Sequence, residues 1–196
     1  MRPRRIIGVT ITTMALAGGC TATPVPTVTF STAPVSTTTP APGPVKYASA
    51  SFRSCPEIQQ KVPGLPPALK AEPTLGSGEF GLTCTFTASK NDGTPMITLD
   101  VILYENQQNS SGAERAKLAF TNGAQAGGVK DTGVHPGSEA RWPDAGVAAS
   151  CRLEFLDENA VMVTWYNSGK KQDPRSEECR RGARDVAKQL FDAVQP

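Results

Sequence analysis

The chain is poor in the residues from which most catalytic and metal sites are built. His135 is its only histidine, which excludes an H-E-x-x-H centre and any other site needing two imidazoles. No C-x-x-C pair occurs, so neither a thioredoxin-like redox centre nor a zinc knuckle is indicated. No G-x-S-x-G elbow is present, which leaves a triad without a recognisable nucleophile. Net charge is scarce as well. The formal value is +2, but Arg2, Arg4 and Arg5 lie in the first nineteen residues, which hold no acid, so the remainder carries −1. A near-neutral chain has no global field to draw in nucleic acid. Finally, there is no long hydrophobic run: the apolar stretch Ile6–Leu16 is about 11 residues, roughly half of what spans a bilayer.

What is there begins with an export leader. Met1-Arg2-Pro3-Arg4-Arg5 forms a basic head, the apolar run follows, and Leu16-Ala17-Gly18-Gly19 leads to Cys20. This is the three-part layout of a signal segment, here ending in a lipoprotein processing site. Cys20 is expected to carry the lipid as the first residue of the mature chain. Leu16 stands one place further from the cysteine than in the usual Leu-Ala/Ser-Gly/Ala-Cys box, with Ala17 in its slot. Two acyl chains suffice for stable anchoring, so the expected location is the extracytoplasmic face of the cell membrane.

Thr21–Val45 contains eight Thr, six Pro and two Ser among 25 residues. Such a segment cannot bury enough apolar surface to fold and favours extended conformations. It is read as a spacer. The domain plan is therefore a leader over 1–19, an anchor and linker over 20–50, and one folded domain over 51–196.

Within that domain, Ser54-Cys55-Pro56-Glu57 has the form of a capping box and predicts a short helix with Cys55, Ile58 and Val62 on one side. Pro66-Pro67 stops it. Leu82–Ala88 predicts a strand, Asn91-Asp92-Gly93 a hairpin turn, and the alternation Ile97, Leu99, Val101, Leu103 a second strand with one face in the core. Ser111-Gly112-Ala113-Glu114 opens a helix bearing Ala113, Ala116, Phe120 and Ala124, with Leu118 to one side. Ser138–Trp142 reads as a short strand or bend. Ala149, Cys151, Leu153 and Phe155 alternate with outward Ser150, Arg152 and Glu154, and after Asp157-Glu158-Asn159 the chain returns along Val161–Tyr166. A last helix, capped by Ser176 or Asp173-Pro174, carries Cys179, Ala183, Val186, Ala187, Leu190 and Val194 as its apolar stripe. Strands interleaved with separated helices predict an α+β fold, an antiparallel β-sheet with helices packed on it.

Setting Cys20 aside leaves Cys55, Cys84, Cys151 and Cys179, an even number suited to two disulfides in an exported protein. Three connectivities are open. Two considerations favour Cys55 with Cys84 and Cys151 with Cys179: each pair joins a helix start to an inward strand position, and each closes a loop of about 29 residues.

These features together resemble a family. The lipobox, the Thr/Pro linker, the Ser-Cys-Pro opening at 54–56, Cys84-Thr85-Phe86, the Gly-Ser-Glu-Ala-Arg-Trp run at 137–142 and the final cysteine-bearing helix are similar to actinobacterial lipoproteins of unknown function, among them the mycobacterial Lpr- and Lpq-type proteins. The resemblance covers residues 50–196. It implies a sandwich like that of PsbP and Mog1-type proteins, which act by binding partners, and it implies no catalytic residue. Phe86 stands where the family more often has Trp.

Several other motifs match by letter but not by context. Gly76-Ser77-Gly78-Glu79-Phe80-Gly81 matches G-x-G-x-x-G by letter, but Pro73 precedes it and a strand follows, so it is read as a flexible loop. His135 reads as an exposed loop residue. Asp157-Glu158 and Glu177-Glu178 read as a turn and a helix N-terminus rather than as paired catalytic carboxylates. Arg180, Arg184 and Lys188, one turn apart with Arg181 alongside, read as a solvated helix face, with lipid headgroups or a cell-wall polymer as the other reading. Of Trp165 and Tyr166 one must face the core, and the other, with Tyr104, is a candidate ligand-facing surface. The expectation is an anchored binding or scaffold module for an envelope protein, lipid or glycan, without cofactor or metal. The rival is an envelope hydrolase with no recognisable motif.

Overall fold

A computed structural model describes residues 45–76, 79–88, 93–124, 127–144, 150–170 and 172–195. The leader, Cys20 and the linker up to residue 44 lie outside them, as do Ser77, Gly78, Asn91, Asp92 and Ala149. The described residues belong to one compact unit within Thr39–Pro196.

Its frame is a seven-stranded antiparallel sheet with three helices. In chain order the elements are α1 (Cys55–Lys61), β1 (Ala68–Gly76), β2 (Glu79–Phe86), β3 (Met96–Tyr104), α2 (Gly112–Ala124), β4 (Val129–Lys130), β5 (Glu139–Trp142), β6 (Cys151–Asp157), β7 (Ala160–Asn167) and α3 (Glu177–Val194). The strands lie in the order β1-β2-β3-β7-β6-β5-β4, every neighbouring pair antiparallel. The expected α+β class is what the chain adopts.

Alternation decides which residues meet which helix. Cys84 and Phe86 of β2, Leu99 and Val101 of β3, Leu153 and Phe155 of β6 and Met162 of β7 share one buried cluster with Ile58 of α1 and Ala187 and Leu190 of α3. Both α1 and α3 therefore cover that face, and they touch each other. Two disulfides fix them there. Cys55–Cys84 joins the first residue of α1 to β2 with Cα atoms 5.4 Å apart, and Cys151–Cys179 joins the start of β6 to the first turn of α3 at 6.0 Å. Gly182 is part of this fit: a Cβ there would lie 2.6 Å from the Tyr166 ring, which would have to move to admit it.

The other face is covered in part by α2, and here several expectations need correction. Tyr104, Leu156 and Val161 form a second buried cluster with Ala116 and Phe120. Tyr104 is thus not part of an open surface. Glu154, expected to point outward from β6, is buried because this strand lies between helices, and Ser150, just before the strand, is buried too. The predicted flexible loop around Gly76 is instead the end of one strand and the start of the next, since Gly76 pairs with Glu79 and Pro73 with Leu82. As an edge strand, β1 can hold a proline because one side of it has no ladder partner. The Ser111 box forms as expected: Glu114 accepts the Ser111 N–H at 2.8 Å while its own N–H donates to Ser111 Oγ at 3.1 Å.

Packing also begins ahead of Ser51, the boundary expected from composition. Tyr47 is buried. Its backbone N–H donates to Asn159 Oδ1 (2.9 Å), and Asn159 Nδ2 returns bonds to the carbonyls of Tyr47 (2.9 Å) and Tyr104 (3.2 Å). The Tyr47 hydroxyl and Lys46 Nζ both donate to Asp157. Burial, then the bond and charge of Asp157 and the charge of Glu158, push the Tyr47 phenol well above its ordinary value. The chain therefore enters the domain through a fixed clamp on the β6–β7 turn.

Candidate functional site

Three elements meet at one end of the sheet: the end of β5, the start of β6 and the first turns of α3. Ser176 caps α3, its hydroxyl accepting the Cys179 N–H at 3.2 Å. Because Cys179 is bonded to Cys151, the cap, the disulfide and β6 form one rigid corner. Beside it lies a cleft of about 170 Å³ lined by Trp142, Asp144, Ser150, Asp173, Arg175 and Arg180, among others.

Trp142 is the wall that orders this corner. It is buried, and its Nε1–H donates to Asp131 Oδ1 at 2.9 Å. Asp131 is the hub. It also accepts Arg184 Nη2 at 2.7 Å, Arg184 Nε at 3.1 Å and the Gly133 N–H at 3.3 Å. Burial pushes the Asp131 carboxyl up, but the bonds from Arg184, Trp142 and Gly133 outweigh it and hold the carboxyl below its ordinary value. Arg184 donates as well to Glu177 Oε1 at 2.6 Å. Bonding to Asp131 holds its guanidinium above the ordinary value against desolvation, and Glu177 adds to this.

This corrects the expectation of a solvated arginine face on α3. The Arg180 and Arg184 guanidiniums lie 5.3 and 5.2 Å from the Trp142 ring centre, and only Lys188 and Arg181 of that group are exposed. The two arginines differ in what else holds them. Arg184 has two carboxylates, whereas Arg180 has no ion pair among the described residues and its buried Nε has no partner.

Across the sheet a second polar network underlies α2. Glu154 accepts Arg141 Nε at 2.6 Å and also Arg141 Nη2, while Arg152 donates to its other oxygen. Arg141 Nη1 reaches the Phe120 carbonyl at 2.5 Å, and its guanidinium sits 4.5 Å from the Phe120 ring centre. Beyond it the Arg152 guanidinium lies 4.8 Å from the Trp165 ring centre, and Trp165 Nε1 donates to Asp100 Oδ2 at 3.1 Å. This row braces α2 and the sheet.

The remaining sequence-derived candidates scatter. Cys20 is outside the described residues, so nothing in the structure bears on its lipid. His135 is half-buried, with Nδ1 3.0 Å from the Pro136 carbonyl. Trp165 and Tyr166 take opposite faces as expected: Tyr166 packs on the cluster under α3, while Trp165 is held by Arg152 and Asp100. Asp157 lies at the β6–β7 turn and Glu177 on α3, each bound to a cation. Among the described residues there is no group of three or more His, Cys, Asp and Glu side chains placed to hold a metal, and no helix long and apolar enough to cross a membrane. Sequence reasoning did not single out Asp131, Arg141, Glu154, Asn159 or Tyr47. The one local signal was Asp131-Thr132-Gly133, a turn-forming triplet whose carboxylate accepts the N–H two residues on.

No family model matches the chain, and neither a curated protein nor a solved structure matches it.

Proposed function

We propose that this protein is a lipid-anchored binding module on the extracytoplasmic face of the cell membrane. Cys20 is its attachment point and the Thr/Pro segment its spacer. The observation that carries this reading is the pair of disulfides, Cys55–Cys84 and Cys151–Cys179, because such bonds persist in oxidising compartments and not in a reducing cytosol. The leader and the cysteine at its end supply the route and the tether.

The role of a binder rather than a hydrolase is supported by how the polar groups are employed. Asp131, Glu154 and Asp157 each hold cations that brace the fold, and Asp157 also accepts the buried Tyr47 hydroxyl. The same reading takes the architecture as a PsbP/Mog1-type sandwich. One antiparallel sheet with helices on both faces supports that choice.

Metabolic labelling with an alkyne fatty acid, followed by membrane fractionation, tests the tether. The wild-type chain should carry label and sediment with membranes, and Cys20→Ala should be unlabelled and retain its leader. Label on the Cys20→Ala chain, or none on the wild type, refutes the assignment.

A further inference from the structure

Five charged side chains line the cleft at the Cys151–Cys179 corner; Arg152 is paired with Glu154, and the other four share the cleft without pairing. Arg175 and Arg180 line it, and so do Asp144 and Asp173. None of the four forms an ion pair among the described residues. Elsewhere in this domain opposite charges brought together do pair, as at Asp131–Arg184 and Arg141–Glu154.

The scaffold keeps these four apart. Arg180 is held over Trp142, and its buried Nε lacks a partner. Asp173 accepts the backbone N–H of Arg175 at 2.9 Å, which directs it along its own loop. Asp144 lies two residues beyond the end of β5, on a different element from α3. Between the charges the walls are apolar: Trp142, Pro143 and Pro174.

We propose that this cleft binds a small zwitterion of the amino-acid or dipeptide class. A carboxylate would meet Arg180 and Arg175, an ammonium Asp173 and Asp144, and a short body the Trp142 and proline walls. A simple anion would face two carboxylates of its own sign, and a simple cation three guanidiniums, one of them already paired with Glu154. Only a ligand carrying both charges is attracted at both ends. This deepens the binding-module reading and rests on it.

Calorimetric titration of the lipidated protein in detergent tests it, with glycylglycine as probe and acetate and ethylammonium as its two halves. Glycylglycine should bind saturably, and each half at least tenfold more weakly. Arg180→Gln should weaken glycylglycine binding at least tenfold and Asp173→Asn several-fold, with melting temperatures near wild type. Arg175→Gln, at an exposed position, provides a second variant should Arg180→Gln fold poorly, and it should weaken binding too. Acetate binding as tightly as glycylglycine, absence of saturable binding, or glycylglycine affinity unmoved by folded Arg180→Gln or Arg175→Gln overturns the proposal. Membrane fractionation of the same preparation reads the tether separately, so failure here leaves the anchoring result standing.

Discussion

Asp131 gives the sharpest test of how this domain is held together. It is 3% exposed and accepts from Trp142, Arg184 and Gly133 at once. Asp131→Ala would leave the Trp142 Nε1–H without its acceptor and Arg184 without the more buried of its two carboxylates. Breaking a fully buried pair on one side costs about 3–5 kcal/mol. The Arg184 side chain is 16% exposed and keeps Glu177, so the ionic part is discounted to roughly 2 kcal/mol. The stranded indole N–H adds about 1 kcal/mol. The expected loss is therefore about 3 kcal/mol. With a urea slope of about 2 kcal/mol/M for a domain of this size, the midpoint should fall by about 1.5 M.

The pH dependence supplies an independent check. The folded carboxyl sits below its ordinary value, so its contribution is fully present above the unfolded value of about 3.9 and fades as pH falls through the lower folded value. Asp131→Asn cannot ionise and can still accept from Trp142. The stability gap between wild type and Asp131→Asn should be flat from about pH 5.5 to 8 and should shrink progressively below about pH 4. Urea titrations with the disulfides kept oxidised measure both effects. A midpoint for Asp131→Ala within 0.3 M of wild type (about 0.6 kcal/mol at that slope), or a gap unchanged at about pH 3, refutes the assignment of Asp131 as the hub.

Two further outcomes follow from the same structure. Glu154→Ala leaves Arg141 charged and nearly buried beneath α2, so it should lose about 3–5 kcal/mol, whereas Glu154→Met with Arg141→Met should recover much of that loss; strictly additive losses in denaturant titrations would refute the coupling. Replacing Cys151 and Cys179 together by Ser opens a loop of 28 residues, and chain entropy puts the cost near 3–4 kcal/mol. A thermal midpoint equal to that of the wild type would show that the bond is not what holds α3 on β6.

The sequence made the elements legible where a single interface decided the pattern. Ile97, Leu99, Val101 and Leu103 alternate because one face of β3 meets one cluster. The stripe of α3 and the boxes at Ser54 and Ser111 are local chemistry, readable without knowing the fold. It misled where a second interface intervened. Tyr104, Leu156 and Val161 are buried only because α2 returns over the opposite face, and alternation along a strand carries no information about that return. β1 was hidden by Pro66 and Pro67 just before it and by Pro73 and Gly76 within it, residues that usually end strands; the latter two are tolerated here at an edge. Tyr47 was hidden by the composition around it. Its burial depends on Asn159, which lies 112 positions away in the chain.

The candidate site was less legible still, and the arginines of α3 show why. Arg180 and Arg184 stand one turn apart, share the same helix face and approach the same indole at nearly equal distances. By helical spacing they are equivalent. What separates them is a carboxylate on another element: Asp131, just after β4, reaches Arg184, and nothing equivalent among the described residues reaches Arg180. A charge satisfied inside the fold stabilises it, while a charge held in place and left unpaired is free to meet a ligand. The distinction depends on the β4–β5 connection rather than on the helix, so no periodicity within residues 177–194 contains it. By the same logic the disulfide has two roles at once. Cys151–Cys179 fixes the start of α3 on the sheet and so places Arg180, the next residue, at the cleft.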